Sequence, residues 1–235
     1  VTGKAVVSRI AQALGLLLAV FLAMVVTVSA ASMRWPSLLK SATGMALLNH
    51  TPMLAASLVL IALLTRGRVS DYGLTRGRFT FRPTLLLWAL VGTVGSVAMI
   101  AFGGGGEGPA EGLTRMQTVA LVWVYASVCE EVLYRGLLQS FLAPLSGIGI
   151  KMGAVTLSLP VLLCGALFGG SHLMLLTMGM DLRAVGVIVL CGVVLGCAAG
   201  THRERTGSLL PAVLIHALFN IGGSLPLWIA QAFGT

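Results

Sequence analysis

Seven stretches of this chain are long, dominated by aliphatic side chains and separated by short polar connections: 10–31, 42–64, 84–102, 116–143, 152–178, 184–200 and 208–233. A helix rising 1.5 Å per residue needs about 20 apolar residues to cross a hydrocarbon core of about 30 Å. That core offers no water to backbone N–H and C=O groups, so a chain of this pattern closes its hydrogen bonds inside helices. The charged fraction is only 9 % against 57 % hydrophobic, far below the quarter usual in soluble domains, and the longest polar connection, 65–83, is too short to bury a core. The expected architecture is an all-α polytopic membrane helix bundle: one transmembrane domain over 1–235, with N-terminal spans in 1–115 and a second part over 116–235.

Charge sets the expected orientation. The connection 65–83 carries Arg66, Arg68, Arg76, Arg78 and Arg82 against the single Asp71, which marks a cytoplasmic loop. Threading the spans alternately then puts the N-terminus in the cytoplasm, with Lys4, Arg9, those five arginines, Lys151, Arg203 and Arg205 inside. Only Arg34, Lys40, Arg115 and Arg183 fall outside, together with a flexible acidic loop from Gly103 to Gly112. The net charge of +8 is thus an orientation signal and not a nucleic-acid surface, so no nucleic-acid partner is expected. Seven spans with no soluble appendage fit an integral protein of a bacterial inner (cytoplasmic) membrane.

Local signals refine the spans. Val28-Ser29-Ala30 resembles a signal-peptidase site, but a 22-residue apolar run exceeds an h-region of about 7–15 residues, so an uncleaved anchor is expected. Asn49-His50-Thr51-Pro52 interrupts the second run. A helix starting at Pro52 would measure about 20 Å, too little to span, so a kinked helix is expected, with His50 bonded to backbone groups at the kink and without a catalytic role. Pro160 and Gly169-Gly170 are expected to bend the fifth span, and His202 to Gly207 to form a basic turn after the sixth. Gly192, Gly196 and Gly200 recur every four residues and let another helix approach closely. The four cysteines, Cys129, Cys164, Cys191 and Cys197, lie in apolar runs with no CxxC pair and read as packing residues. No repeat of fixed period and no inverted-halves pattern is present.

One stretch breaks the apolar pattern. Cys129-Glu130-Glu131-Val132-Leu133-Tyr134-Arg135-Gly136 places three charged residues in the fourth run, each costing about 2.5–3.5 kcal/mol at a helix centre unless it faces protein or water. On a helix turning about 100° per residue, Glu131 and Arg135 share a face and can pair, while Glu130 points elsewhere and stays available to take a proton. The fifth run adds His172 and the seventh adds His216 and Asn220, four apart and on one face. Buried polar groups on three helices need partners, and these are each other's best candidates. Together they amount to a base (Glu130), a water-orienting group (His172) and two oxyanion donors (His216, Asn220), an inventory for hydrolysing an amide inside the membrane. A serine mechanism is less attractive, because Ser171 and His172 are adjacent and diverge on a helix, and no GxSxG occurs.

The ordered set Glu-Glu-x-x-x-Arg, Phe-x-x-x-His and His-x-x-x-Asn, written here as Glu130-Glu131 to Arg135, Phe168 to His172 and His216 to Asn220, resembles the signature of the CPBP family of intramembrane endopeptidases, which includes the CAAX prenyl proteases. The resemblance covers about 119–220. It implies a catalytic core within 116–235, water activated by Glu130 and His172, an oxyanion site of His216 and Asn220, a supporting ion pair of Glu131 and Arg135, and a glutamate-dependent mechanism without a cofactor. The expected partners are the lipid bilayer and a membrane-associated protein or peptide substrate, with removal of a C-terminal sorting tail, as in the myxosortase-like branch, favoured over prenyl processing. Two alternatives stay open. Glu130, His172 and His216 could supply three ligands to zinc in a CAAX-type prenyl-protein endopeptidase, although no HExxH helix is present. A non-enzymatic scaffold or a transporter could use the same residues to pass protons.

Overall fold

The computed structural model describes residues 2–77, 83–102, 112–153 and 155–233. Arg78, Arg82 and the acidic stretch from Gly103 to Glu111 lie outside the described residues. Helix α1 (Gly3–Arg34) is followed by a single turn, α2 (Pro36–Leu39), and by α3 (Ala42–Thr65), capped by Ser41 Oγ accepting from Gly44 N–H at 3.0 Å. Then come α4 (Leu87–Ala101), α5 (Arg115–Leu145), α6 (Leu159–Met178), α7 (Leu182–Thr206) and α8 (Leu210–Phe233). Among the described residues, six helices are long and apolar enough to cross a membrane, and the protein is an integral membrane helix bundle.

The seventh expected span is the shorter one. Helix α4 has 15 residues, about 22 Å of rise against a core of about 30 Å, because Pro83–Leu86 coils as a 3-10 turn before it. It packs along α8 backbone to backbone: a Cβ on Gly92 would run into Phe219 O, and one on Gly222 into Ala89 O.

Two helix boundaries differ from the sequence expectation. The fifth helix begins at Leu159 and not near 152, because Gly149–Met152 and Val155–Ser158 pair as an antiparallel hairpin, β1 and β2, with Gly153 at φ +60° in the tight loop. Pro160 therefore opens α6 and does not bend it, behind Ser158, whose Oγ accepts from Val161 N–H at 3.3 Å. The basic turn expected at 202–207 is helix up to Thr206, and only Gly207, at φ +72°, ends it. As expected, Pro52 does not start a helix but lies inside the single span Ala42–Thr65.

The glycine ladder acts as expected. Gly192 and Gly196 on α7 face Gly169 and Gly165 on α6, where added Cβ atoms would come within 2.9 and 2.7 Å of the opposing Cα atoms. Polar ties gather one end of the bundle. Arg9 Nε donates to Phe141 O at 2.9 Å, Arg203 Nη2 to Ser140 Oγ at 3.0 Å, Ser158 Oγ to Glu204 Oε1 at 2.6 Å, and Leu209 N–H to Gly73 O at 2.9 Å. The start of α1, the loop after α3, the end of α5, the start of α6, the end of α7 and the start of α8 therefore share one end, as alternate threading requires.

Candidate active site

Helix α5 is the buried axis of the bundle, and its hydrogen-bond ladder is irregular. Bonding widens to i→i+5 over Thr118–Ala126 and Val132–Gln139, leaving a single α segment, Ser127–Glu131, between two π stretches. Wide turns of this kind re-aim side chains and are frequent at functional sites. The two carboxylates close that α segment.

Glu131 and Arg135 are both 0 % exposed, and Arg135 Nη1 donates to Glu131 Oε1 at 2.9 Å. The guanidinium stacks against Phe168, with Cζ 4.7 Å from the ring centroid. The same Glu131 oxygen accepts from His216 Nδ1 at 2.9 Å. Arg135 Nε and Nη2 and Glu131 Oε2 find no hydrogen-bond partner among the described residues, so the pair is held with little polar surplus. A buried charge in that situation depends strongly on its partner.

Glu130 is set differently. Its side chain keeps 20 % of its surface accessible, and its two oxygens face imidazoles from two other helices: Oε1 lies 3.4 Å from His50 Nε2 and Oε2 lies 3.6 Å from His216 Nε2. His216 therefore stands between the acids, Nδ1 to Glu131 and Nε2 to Glu130. His50, expected to serve the backbone alone, does bond backbone through Nδ1 and Ala46 O at 2.8 Å, but its other nitrogen turns to the carboxylate. Local sequence carries no signal of this contact, because a histidine beside a proline in an apolar span has a sufficient explanation in the backbone.

His172 begins the 3-10 end of α6, and its Nδ1 donates to Phe168 O at 3.0 Å, which leaves Nε2 as the nitrogen for water or substrate. No ion pair joins it to Glu130 among the described residues. Asn220 Nδ2 donates to Ser127 Oγ at 3.1 Å and to Val122 O at 3.2 Å, tying α8 to the α segment that carries the acids. Ser171 Oγ donates to Phe168 O at 2.7 Å. Phe168 is the hub of the site: its ring meets Tyr134 at 5.2 Å and both His172 and His216 at 5.3 Å, all edge to face.

Beside this cluster lies a cavity of about 550 Å³ among α4, α5, α6, α7 and α8, bordered by Phe168, His172, His216 and Asn220. The rest of its wall is mainly apolar, with Leu175, Ile188 and Trp228 among it. For a metal, the donor set does not fit: among the described residues, no three His, Cys, Asp or Glu side chains stand together closely enough to hold an ion. Glu130, His172 and His216 do not form such a group.

Residues 113–222 match the family described as Type II CAAX prenyl endopeptidase Rce1-like. The matched segment, a little under half of the chain, resembles this family, and the protein carries all three motifs within it. It is an intramembrane peptidase, a hydrolase acting on peptide bonds. The match takes in all three motifs and the cavity wall that α5, α6 and α7 supply, ends within α8 before Gly223, Ser224, Leu227 and Trp228, and leaves α1, α3 and α4 outside. No curated protein and no solved structure matches the chain.

Proposed function

We propose that this protein is a glutamate-dependent endopeptidase of a bacterial inner membrane that needs no metal, with its basic end in the cytoplasm, and that it removes a C-terminal sorting tail from a membrane-associated protein. The observation that carries the proposal is the setting of Glu130, a partly open carboxylate flanked by two imidazoles, beside a second acid that is sealed into an ion pair. Glu130 takes a proton from water oriented by His172, and the water oxygen bonds to the scissile carbonyl carbon. His216 Nε2, on exchanging its contact with Glu130 Oε2, and the Asn220 amide, on exchanging its bond to Val122 O, donate to the oxyanion. As the C–N bond breaks, Glu130 returns the proton to the departing amine, so base and acid are one group in turn. Glu131 and Arg135 hold the helix face on which this depends.

Metal independence is supported by the donor geometry, and an apolar tail by the wall of the cavity. The test is a comparison of total membrane proteomes between a strain carrying Glu130→Gln and its parent. The expected result is one or more exported proteins retained at full length with the C-terminal tail intact, while the variant enzyme is present at normal level. Unchanged C-termini throughout contradict the proposal. A farnesylated CAAX peptide cut efficiently by the purified protein would move the substrate from sorting tails to prenylated proteins.

A further inference from the structure

We infer that His50, on α3 and outside the family-matched segment, is a positioning residue for hydrolysis that holds one oxygen of Glu130 and fixes the rotation of its carboxylate. The inference rests on the reading of Glu130 as the base. His50 is clamped before it meets that acid. Its Nδ1 faces Ala46 O at 2.8 Å and therefore carries a hydrogen, which turns Nε2 outward to Glu130 Oε1 at 3.4 Å. The next residue anchors the helix: Thr51 Oγ1 and Tyr125 OH are 2.8 Å apart, and the Tyr125 ring meets His50 edge to face at 6.3 Å, one turn before Glu130 on α5.

The same logic applies across the carboxylate. His216 Nδ1 serves the ionised Glu131 and so also carries a hydrogen, leaving Nε2 toward Glu130 Oε2. Two unprotonated acceptors facing each other repel, so each Nε2 to oxygen contact is favourable only with a proton on one side of it. Both oxygens of the base are thus held, one by α8 from within the matched segment and one by α3 from outside it. A carboxylate held by only one of them turns about χ3, and about 1 Å of misplacement at a reacting group costs up to about 100-fold in rate.

The experiment uses the full chain in detergent and a quenched fluorescent peptide spanning the cleavage site of a protein that the Glu130→Gln strain retains at full length. For His50→Ala, kcat is expected to fall about 10- to 100-fold with KM within twofold. His50→Gln, whose amide N–H reaches the same oxygen, is expected to recover most of the loss, and added imidazole to restore part of it in His50→Ala. His50→Ala turnover within twofold of wild type overturns the inference while leaving Glu130 as base. Equal losses in both variants, with a lowered melting temperature and no response to imidazole, overturn it in favour of a packing role. A fully active Glu130→Gln overturns the base assignment and this inference with it. A measurement independent of any substrate is ¹⁵N NMR of labelled histidines: Glu130→Gln is expected to shift the His50 Nε2 resonance and leave Nδ1 in place, and an unmoved Nε2 overturns the inference.

Discussion

The two faces of α5 that carry Glu130 and Glu131 differ in what they touch. Toward α6 and α7, Glu131 and Arg135 are sealed from solvent, stacked on Phe168 and closed over by the glycine-lined crossing of α6 and α7. Toward α3 and α8, Glu130 keeps a fifth of its side chain accessible and meets the imidazoles of His50 and His216. Adjacent acids of identical chemistry thus receive opposite settings: one is neutralised by a fixed cation, the other is left with partners that can gain and lose protons. What separates them is the turn of the helix, and what keeps them apart is the sealed pair.

The largest effect is expected from breaking the sealed face. Arg135→Ala leaves Glu131 buried without its cation, and a loss of about 3–5 kcal/mol in stability is expected, read as low yield and a lowered melting temperature alongside lost activity. A stable, well-expressed but inactive Arg135→Ala protein would mean that the two faces are not divided as described. On the open face, Asn220→Ala is expected to lower kcat by about 10²–10³-fold in single-turnover assays, the loss typical of an oxyanion donor. A change confined to KM would assign Asn220 to ground-state binding. A smaller effect is expected from Gly196→Ala, whose Cβ would press against Gly165 Cα and against Arg135 Nη2 at 3.0 Å. It should cost about 1–3 kcal/mol by overpacking, with kcat nearly preserved in the folded fraction. The smallest change is expected on dialysis against a strong chelator, which should leave turnover as it was. Loss of activity restored by zinc would contradict the metal-independent reading.

The comparison also marks where the sequence is legible. The i, i+4 spacing of Glu131 and Arg135 is enough to expect their pairing, because helix geometry alone brings those side chains together. The Gly192–Gly196 interval likewise announces a close crossing without naming the partner helix. The hairpin at 149–158 was hidden because Ile150, Met152, Val155 and Leu157 read as the start of an apolar span, although alternation along a strand fits them as well. The π widening of α5 leaves no compositional trace. Nor does the approach of α3: His50 becomes part of the site through Thr51, Tyr125 and the packing of three helices, a long-range arrangement that local pattern does not encode. The spacing of His216 and Asn220 puts them on one helix face, yet the position of His216 between the two acids depends on the crossing of α8 with α5 and appears only in three dimensions.

The division of labour between the acids is tested most directly by measuring turnover and thermal unfolding in the same preparation of Glu130→Gln. The account predicts turnover reduced by about 10²–10⁴-fold, the range of general acid–base catalysis, with an unfolding midpoint indistinguishable from that of the parent. Turnover that survives the substitution, or a protein that unfolds as readily as Arg135→Ala, would contradict it.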